Sequence, residues 1–255
     1  KVVHSVTTDD TIEVIININS QSPEIANGVD TGGAGDQGIM IGYACRDNKE
    51  FLPQEYFLSR ELNKFVFAKY PFDGKTQVTM NGNSLRVVCS FQNAPTGRLK
   101  KLVMEYFEDY PDYFIEDLHC NPAGDWNIGG FTADAGVTGR KLAVDNYGPR
   151  VPLGGGAFSG KDCTKVDRSA AYMARRVAVD ILEQRPKVQE VMVQLAYAIG
   201  YDQPLQATAI VDGEHEFIKG YDLSPKGIIE FLELRNPIFG RTAGFGHMGA
   251  GFNWK

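Results

Sequence analysis

"GGGAFSGKD", Gly154 to Asp162, is the stretch on whose reading the fold turns. From Gly155 the spacing is glycine, four residues, glycine, lysine, which is that of the loop cradling ATP phosphates in P-loop proteins. Two features break that reading. The residue after Lys161 is Asp162, where a P-loop places the Ser or Thr that holds magnesium. The preceding "DNYGPRVPL" carries a glycine and two prolines where that fold needs a buried strand running straight into the turn. Phosphate chemistry survives this test; the P-loop fold does not.

The loop lies in a denser cluster, "DAGVTGRKLAVDNYGPRVPLGGGAFSGKDCTKVDR" (134–168), which sets Arg140, Lys141, Lys161 and Lys165 among glycines and the acids Asp134, Asp145, Asp162 and Asp167. A lone surface cation is usually just solvated. The combination says more: glycines let the backbone approach a ligand, fixed cations neutralise a polyphosphate, and adjacent carboxylates can bind Mg²⁺ that bridges the same phosphates. A second glycine-rich piece, "GVDTGGAGDQGIMIGYA" (28–44), carries Asp36 and reads equally well as a turn between strands. Lys75, after "FDG", is by itself an unremarkable strand-start lysine. His247 in "GFGHMG" has no partner at metal-ligand spacing and reads as a structural or capping histidine. No G-x-S-x-G elbow, H-E-x-x-H pair or Cys/His nucleophile arrangement is present, which argues against covalent catalysis.

At 255 residues the chain can bury a sizeable core in one to three domains, and its 43% hydrophobic content is ordinary for a globular protein. No window approaches the roughly 20 apolar residues of a membrane helix, so no membrane partner is expected. The net charge of −6 disfavours nucleic acid as a partner. Four widely spaced cysteines at 45, 89, 120 and 163 argue against a zinc site or a disulfide scaffold, and the expectation is a cytoplasmic chain with reduced, mostly buried thiols.

Strands are expected over "TIEVIININ" (11–19), "KTQVTM" (75–80) with "LRVVCSF" (85–91), and "VMVQLAYAIG" (191–200); the turn 81–83, "NGN", joins the middle pair as a hairpin. Helices are expected in "PQEYFLSRELNKFVFAKY", in "RLKKLVMEYFEDY" and in "SAAYMARRVAVDILEQ". The last puts Ala170, Met173, Ala174, Val177, Ile181 and Leu182 on one face and Arg175, Arg176 and Asp180 elsewhere. "SPKGIIEFLELR" starts with Ser224 as N-cap and Pro225 at the first helical position. Mixed helices and strands with a hairpin predict an α+β fold, and the recurring unit of strands, turn and helix hints at an internal repeat.

With these residues in view, the chain resembles the S-adenosylmethionine synthetase (methionine adenosyltransferase) family. "GAGDQGIMIGYA" is similar to that family's signature hexapeptide region, and "DAGVTGRK" followed by "GGGAFSGKDCTKVDRSAAY" to its glycine-rich phosphate loop. "QSPEIANGVD", "DGKTQVT", "YAIG" and "GHMG" follow in the family's order. The resemblance implies an α+β fold of repeated sheet-and-helix domains about a pseudo-threefold axis with the first repeat incomplete: residues 1–31 a remnant of the N-terminal domain, 32–129 the central domain and 130–255 the C-terminal domain. It implies a homodimer or homotetramer with active sites between subunits. The implied substrates are ATP and L-methionine, the reaction S-adenosylmethionine synthesis with tripolyphosphate cleaved to pyrophosphate and phosphate, and the cofactors Mg²⁺ and K⁺.

Carried over position by position, Lys75, Arg140, Lys141, Lys161 and Lys165 contact phosphates, with Lys165 also near methionine, and Asp167 is a Mg²⁺ ligand. Asp134 holds the methionine amino group and counts among the ATP-binding residues as well, Ile199 flanks the substrate, Gln21 belongs to the methionine side, and Asp36 and the stacking ring of Trp126 to the adenosine side. The chain departs from the family in three places. "GDW" stands at 124–126 for the usual "GRF", replacing a cation by Asp125; Cys163 stands for a proline; and the gating loop between Gln21 and Gly35 is shorter. The family's "GHPDK" region has no counterpart in these residues, and His4 is no substitute. The alternative expectation is therefore a non-catalytic nucleotide- or polyphosphate-binding or regulatory homologue.

Overall fold

In a computed structural model, the described residues are 12–17, 32–134 and 136–255. The expected strand at 11–19 is described only over 12–17, which form no strand and leave Ile15 and Ile16 exposed; the rest of it, and Gln21, lie outside the described residues. Among those residues the element order is β1 (Gly38–Cys45), α1 (Gln54–Phe67), β2 (Gly74–Asn81), β3 (Ser84–Phe91), α2 (Thr96–Phe107), β4 (Phe114–Cys120), the short α3 (Leu142–Asp145), α4 (Val166–Gln184), β5 (Glu190–Tyr197), β6 (Gln206–Val211), β7 (Glu214–Phe217), α5 (Pro225–Phe231) and α6 (Phe239–Thr242). The protein is α+β.

Two sheets organise it. The hairpin β2–β3 forms as its turn chemistry predicts, with Gly82 in the left-handed region at φ 57°. β4 returns parallel to β3 because α2 supplies the crossover that a parallel pair requires. The second sheet runs β1-β5-β6-β7, antiparallel throughout, so β1 from the first half of the chain pairs with β5 from the second. This long-range pairing was not legible from either strand alone.

α2 buries Leu99, Leu102, Val103, Tyr106 and Phe107, the face its period predicts. Ser224 caps α5, its side chain accepting from the Gly227 amide at 3.0 Å, but the helix stops at Phe231, short of the expected run. α4 packs on β1 and β5 and is buried almost all round over its first three turns. At Gly42 the strand comes so close that an added Cβ would lie 2.0 Å from the Ala174 carbonyl carbon, which only glycine allows. Arg175, read as lying off the apolar face, is completely buried. Its guanidinium donates to the carbonyls of Tyr43 (2.5 Å), Phe51 (2.9 Å), Glu50 (2.6 Å) and Lys255 (2.6 Å). Those four acceptors substitute for a carboxylate and fasten β1 and the following turn to α4. All four cysteines are free and buried.

Candidate functional site

The glycine loop earns its composition from three neighbours. Gly154 runs past the start of β1, where a Cβ would meet the Ile39 carbonyl oxygen at 2.3 Å. Gly155 takes φ 70°, turning the chain so that the Gly156 amide donates to Asp167 Oδ1 at 2.6 Å. Gly139, at φ 78°, packs so tightly on Ala157 that a Cβ there would be 2.3 Å from the alanine's own. The "TGRK" turn carrying Arg140 and Lys141 is thereby seated on the loop.

Asp167, in the first turn of α4, is buried, and its other oxygen accepts from Lys161 Nζ at 2.8 Å. Burial alone would raise its pKa, but the hydrogen bonds from Lys161 and the Gly156 amide, with a contribution from the neighbouring Asp36 side chain, prevail and hold it below the ordinary carboxylate value. Asp162, standing where a P-loop has Ser or Thr, is a turn former. It accepts from the Thr164 amide at 2.7 Å and from the Thr164 hydroxyl at 2.5 Å, with Lys165 Nζ 3.8 Å away. Lys165 then occupies the N-cap of α4.

Asp36, exposed in its turn, is tied to the same place. Ala34 exchanges backbone hydrogen bonds with the stretch after β5, accepting from Gly200 N and donating to Tyr201 O, both at 2.8 Å. That exchange sets Ile199 beside the "GAGD" turn. Of the residues expected in the site, then, the structure gathers Asp36, Arg140, Lys141, Lys161, Lys165, Asp167 and Ile199 around one loop.

Lys75 and Trp126 sit elsewhere, on one end of the three-stranded sheet. Lys75 is the second residue of β2, opposite Ser90, and the Trp126 carbonyl accepts from Asn93 at 2.9 Å. Trp126 and Asp125 line a cavity of about 270 Å³ with Asn93, Ala94, Pro95 and Asn127. Among the described residues no hydrogen bond or ion pair joins this pair to the glycine loop. Asp134 follows a 3₁₀ turn (Gly130–Thr132), exposed, its amide donating to Gly130 O. A cavity of about 370 Å³ beside Thr164, lined by Gly32, Gly33, Pro225 and Lys226, includes none of the expected site residues.

Asp125 has a clear purpose. Its Oδ1 accepts from the Thr96 hydroxyl (2.5 Å), the Thr96 amide (2.9 Å) and Asn121 Nδ2 (3.2 Å), capping α2 in place of Pro95, which offers no side-chain acceptor. The Thr96 hydroxyl and then Asn121 hold its pKa down.

Sequence reasoning missed what stands behind the loop. Arg168, buried, donates to the Lys161 carbonyl (2.7 Å), the Tyr172 hydroxyl (3.0 Å) and the Thr242 hydroxyl (2.8 Å), and lies 3.5 Å over the Phe239 ring. The Tyr172 hydroxyl is 2.6 Å from His247 Nδ1, and Nε2 is 3.1 Å from Ser159 Oγ. Burial, then the Arg168 charge, push His247 down to about 4, so the ring is neutral. His247 is the structural histidine that the sequence reading expected; Arg168 and Tyr172 left no signal beyond their i,i+4 spacing.

No group of three or more His, Cys, Asp or Glu side chains placed to hold a metal is found among the described residues. Asp167, with Asp36 beside it, nonetheless suits Mg²⁺, which is commonly held by one or two carboxylates and completes its shell with water and substrate phosphates.

Fold and site together define an α+β protein with a glycine-walled, lysine-bearing loop suited to a polyanion. Comparison with known proteins makes this specific. Residues 31–107 match the S-adenosylmethionine synthetase central domain and residues 128–255 its C-terminal domain. The S-adenosylmethionine synthase of Sulfurovum sp. (strain NBC37-1) is 41% identical over 281 residues, covering 95% of this chain and 72% of the relative. That of Pelagibacter ubique is 38% identical over 282 residues, covering 94% and 72%. A solved structure described as an unusual S-adenosylmethionine synthetase from Campylobacter jejuni superposes with TM-score 0.83 at 30% identity, covering 96% of this chain and 72% of that one. The chain belongs to the S-adenosylmethionine synthetase family. Among its described residues no helix is long and apolar enough to cross a membrane.

Proposed function

We propose that the chain forms S-adenosylmethionine from ATP and L-methionine and hydrolyses the released tripolyphosphate to pyrophosphate and phosphate. The observation that carries this reading is the joining of Lys161, Asp167 and the Gly156 amide in one loop, with the Arg140 turn packed on it. In the reaction a methionine sulfur lone pair forms the S–C5′ bond while the C5′–O bond breaks, and tripolyphosphate leaves with that electron pair. A thioether needs no general base, so the protein's task is to align the reactants and to stabilise a leaving group of about four negative charges. That task suits a site rich in Lys and Arg with no activated His or Cys.

In this reading Lys161, Lys165, Arg140, Lys141 and Lys75 hold phosphates, and Asp167 holds Mg²⁺, which when bound neutralises charge on the phosphate oxygens. Asp36 and Trp126 bind the adenosine side; Asp134, Ile199, Gln21 and Lys165 the methionine side. Lys75 and Trp126, on the other sheet, complete a site in a homodimer or homotetramer, each subunit contributing residues to its partner. The division into 1–31, 32–129 and 130–255, a cytoplasmic location and use of K⁺ belong to the same proposal.

The test is an assay of the chain with ATP, methionine and Mg²⁺, beside its Lys161→Ala variant. Product that falls at least about a hundredfold in the variant supports the reading. Nucleotide binding without product would favour a non-catalytic polyphosphate binder, and no binding would remove the site assignment altogether.

A further inference from the structure

Deepening that proposed reading, we infer that His247 is a positioning residue for the polyphosphate loop, acting through Ser159 at the end of a buried hydrogen-bond relay from Arg168 and Tyr172.

The relay has one consistent direction. Arg168 Nε donates to the Tyr172 oxygen, and the hydroxyl proton, buried, then needs an acceptor. The partner in reach is His247 Nδ1 at 2.6 Å, so Nδ1 is unprotonated and the neutral ring carries its proton on Nε2. Nε2 therefore donates to Ser159 Oγ at 3.1 Å. Every group is placed by something else. His247 is held by its amide donating to Asp145 O (2.9 Å) and its carbonyl accepting from Trp254 Nε1 (2.8 Å). Trp254 in turn stacks on Tyr172, centroids 3.9 Å apart and planes 4° apart.

The relay grips the loop twice. Ser159 is fixed through its hydroxyl, and Lys161 through its carbonyl, which accepts from Arg168 Nη1 at 2.7 Å. Between them Gly160, at φ 87°, would otherwise be free to turn, while Phe158 is locked against the Tyr172 and His247 rings at 5.7 and 5.1 Å. The course of the loop around Lys161 is thus set by Arg168, seven positions on, and through Ser159 by His247, more than eighty positions further along the chain.

The experiment is calorimetric binding of inorganic tripolyphosphate with Mg²⁺ to the unaltered chain, His247→Ala, His247→Gln, Ser159→Ala and the Ser159→Ala/His247→Ala double variant, with thermal unfolding of each. Loss of one neutral hydrogen bond predicts affinity about five- to tenfold weaker in Ser159→Ala, whose unfolding temperature stays close to the parent's because the hydroxyl is only partly buried. The double variant should bind no more weakly than His247→Ala alone, since both cut one relay. His247→Gln, whose amide nitrogen reaches toward the Nε2 position, should recover most of the loss. Ser159→Ala binding as tightly as the parent, or losses that multiply in the double variant, would overturn the inference while leaving the proposed function intact. An unaltered chain that fails to bind tripolyphosphate would overturn both.

Discussion

Asp167→Asn offers the sharpest test of the site because its effect should change sign with the metal. In the structure the Lys161 ammonium is committed to Asp167 at 2.8 Å, so an arriving phosphate oxygen must share that cation with a carboxylate. A phosphate charge seated on Lys161 lies roughly 5 Å from the carboxylate, which at an effective dielectric near 20 costs about 3 kcal/mol per unit charge. Lys161 is part-exposed, its side chain retaining 30% of its accessible surface, and solvent screening reduces the figure to about 1.5 kcal/mol. Replacing the carboxylate by an amide of the same shape removes the repulsion. It predicts metal-free tripolyphosphate binding tighter by about tenfold. With Mg²⁺ the order reverses: the variant lacks its anionic ligand, so the gain in affinity from added metal, and the rate of product formation, should fall by at least about tenfold. Titration with tripolyphosphate in chelator and then in excess Mg²⁺ reads both arms. Unchanged metal-free affinity would show that Asp167 does not face the anion, and an intact metal response would show that it does not hold the metal.

Four further outcomes follow from the packing and the buried charges. His247 titrates at about 4 in the fold against about 6.5 when unfolded, so the unfolded chain binds the extra proton between those values. Stability should accordingly decline by about 3 kcal/mol from pH 7 to pH 4 on this account, and urea unfolding of His247→Gln should show a shallower decline. Asp167, whose pKa is depressed, adds stability that is present above the ordinary carboxylate value and is lost only as pH falls through its lower folded value. Gly42→Ala pushes a methyl to 2.0 Å from the Ala174 backbone; it should cost at least about 3 kcal/mol in denaturant unfolding and, by displacing α4, weaken tripolyphosphate binding. Arg175→Met strands four carbonyl acceptors and should destabilise the protein by about 4 kcal/mol in the same assay.

The part of the site that local spacing makes legible is the part that is contiguous, whereas Asp36 and Ile199 were expected only through the family resemblance. Gly154 to Asp167 holds its glycines, its lysine and its carboxylate within one short run, and local spacing suffices to predict a loop that meets a helix N-terminus. Helix faces were equally legible, because Leu99, Leu102 and Val103 advertise a period that burial then enforces. Arg175 was misplaced because periodicity ranks residues by polarity, whereas four backbone carbonyls converging from β1, its following turn and Lys255 can solvate a guanidinium that the pattern assigns to water. Asp125 was read as a lost cation; its role as the cap of α2 depends on Thr96, nearly thirty residues earlier, coming within hydrogen-bond reach. The pairing of β1 with β5 likewise spans about 150 residues, from Cys45 with Glu190 to Gly38 with Tyr197, and leaves no local mark.

A common logic links the two buried guanidiniums of α4. Arg168 and Arg175, seven residues apart and so on one helical face, have no Asp or Glu partner in hydrogen-bond contact among the described residues; both discharge their donors largely onto backbone carbonyls or hydroxyls. A carboxylate beside Arg168 would satisfy its donors, but it would cancel a positive charge behind a loop flanked by Asp162 and Asp167. Neutral acceptors fix the geometry and leave the charge of Arg168 in place behind the loop. In the proposed reading α4 therefore supplies the site with more than Lys165 and Asp167 at its start: Arg168, one turn deeper, is pinned to the carbonyl of Lys161.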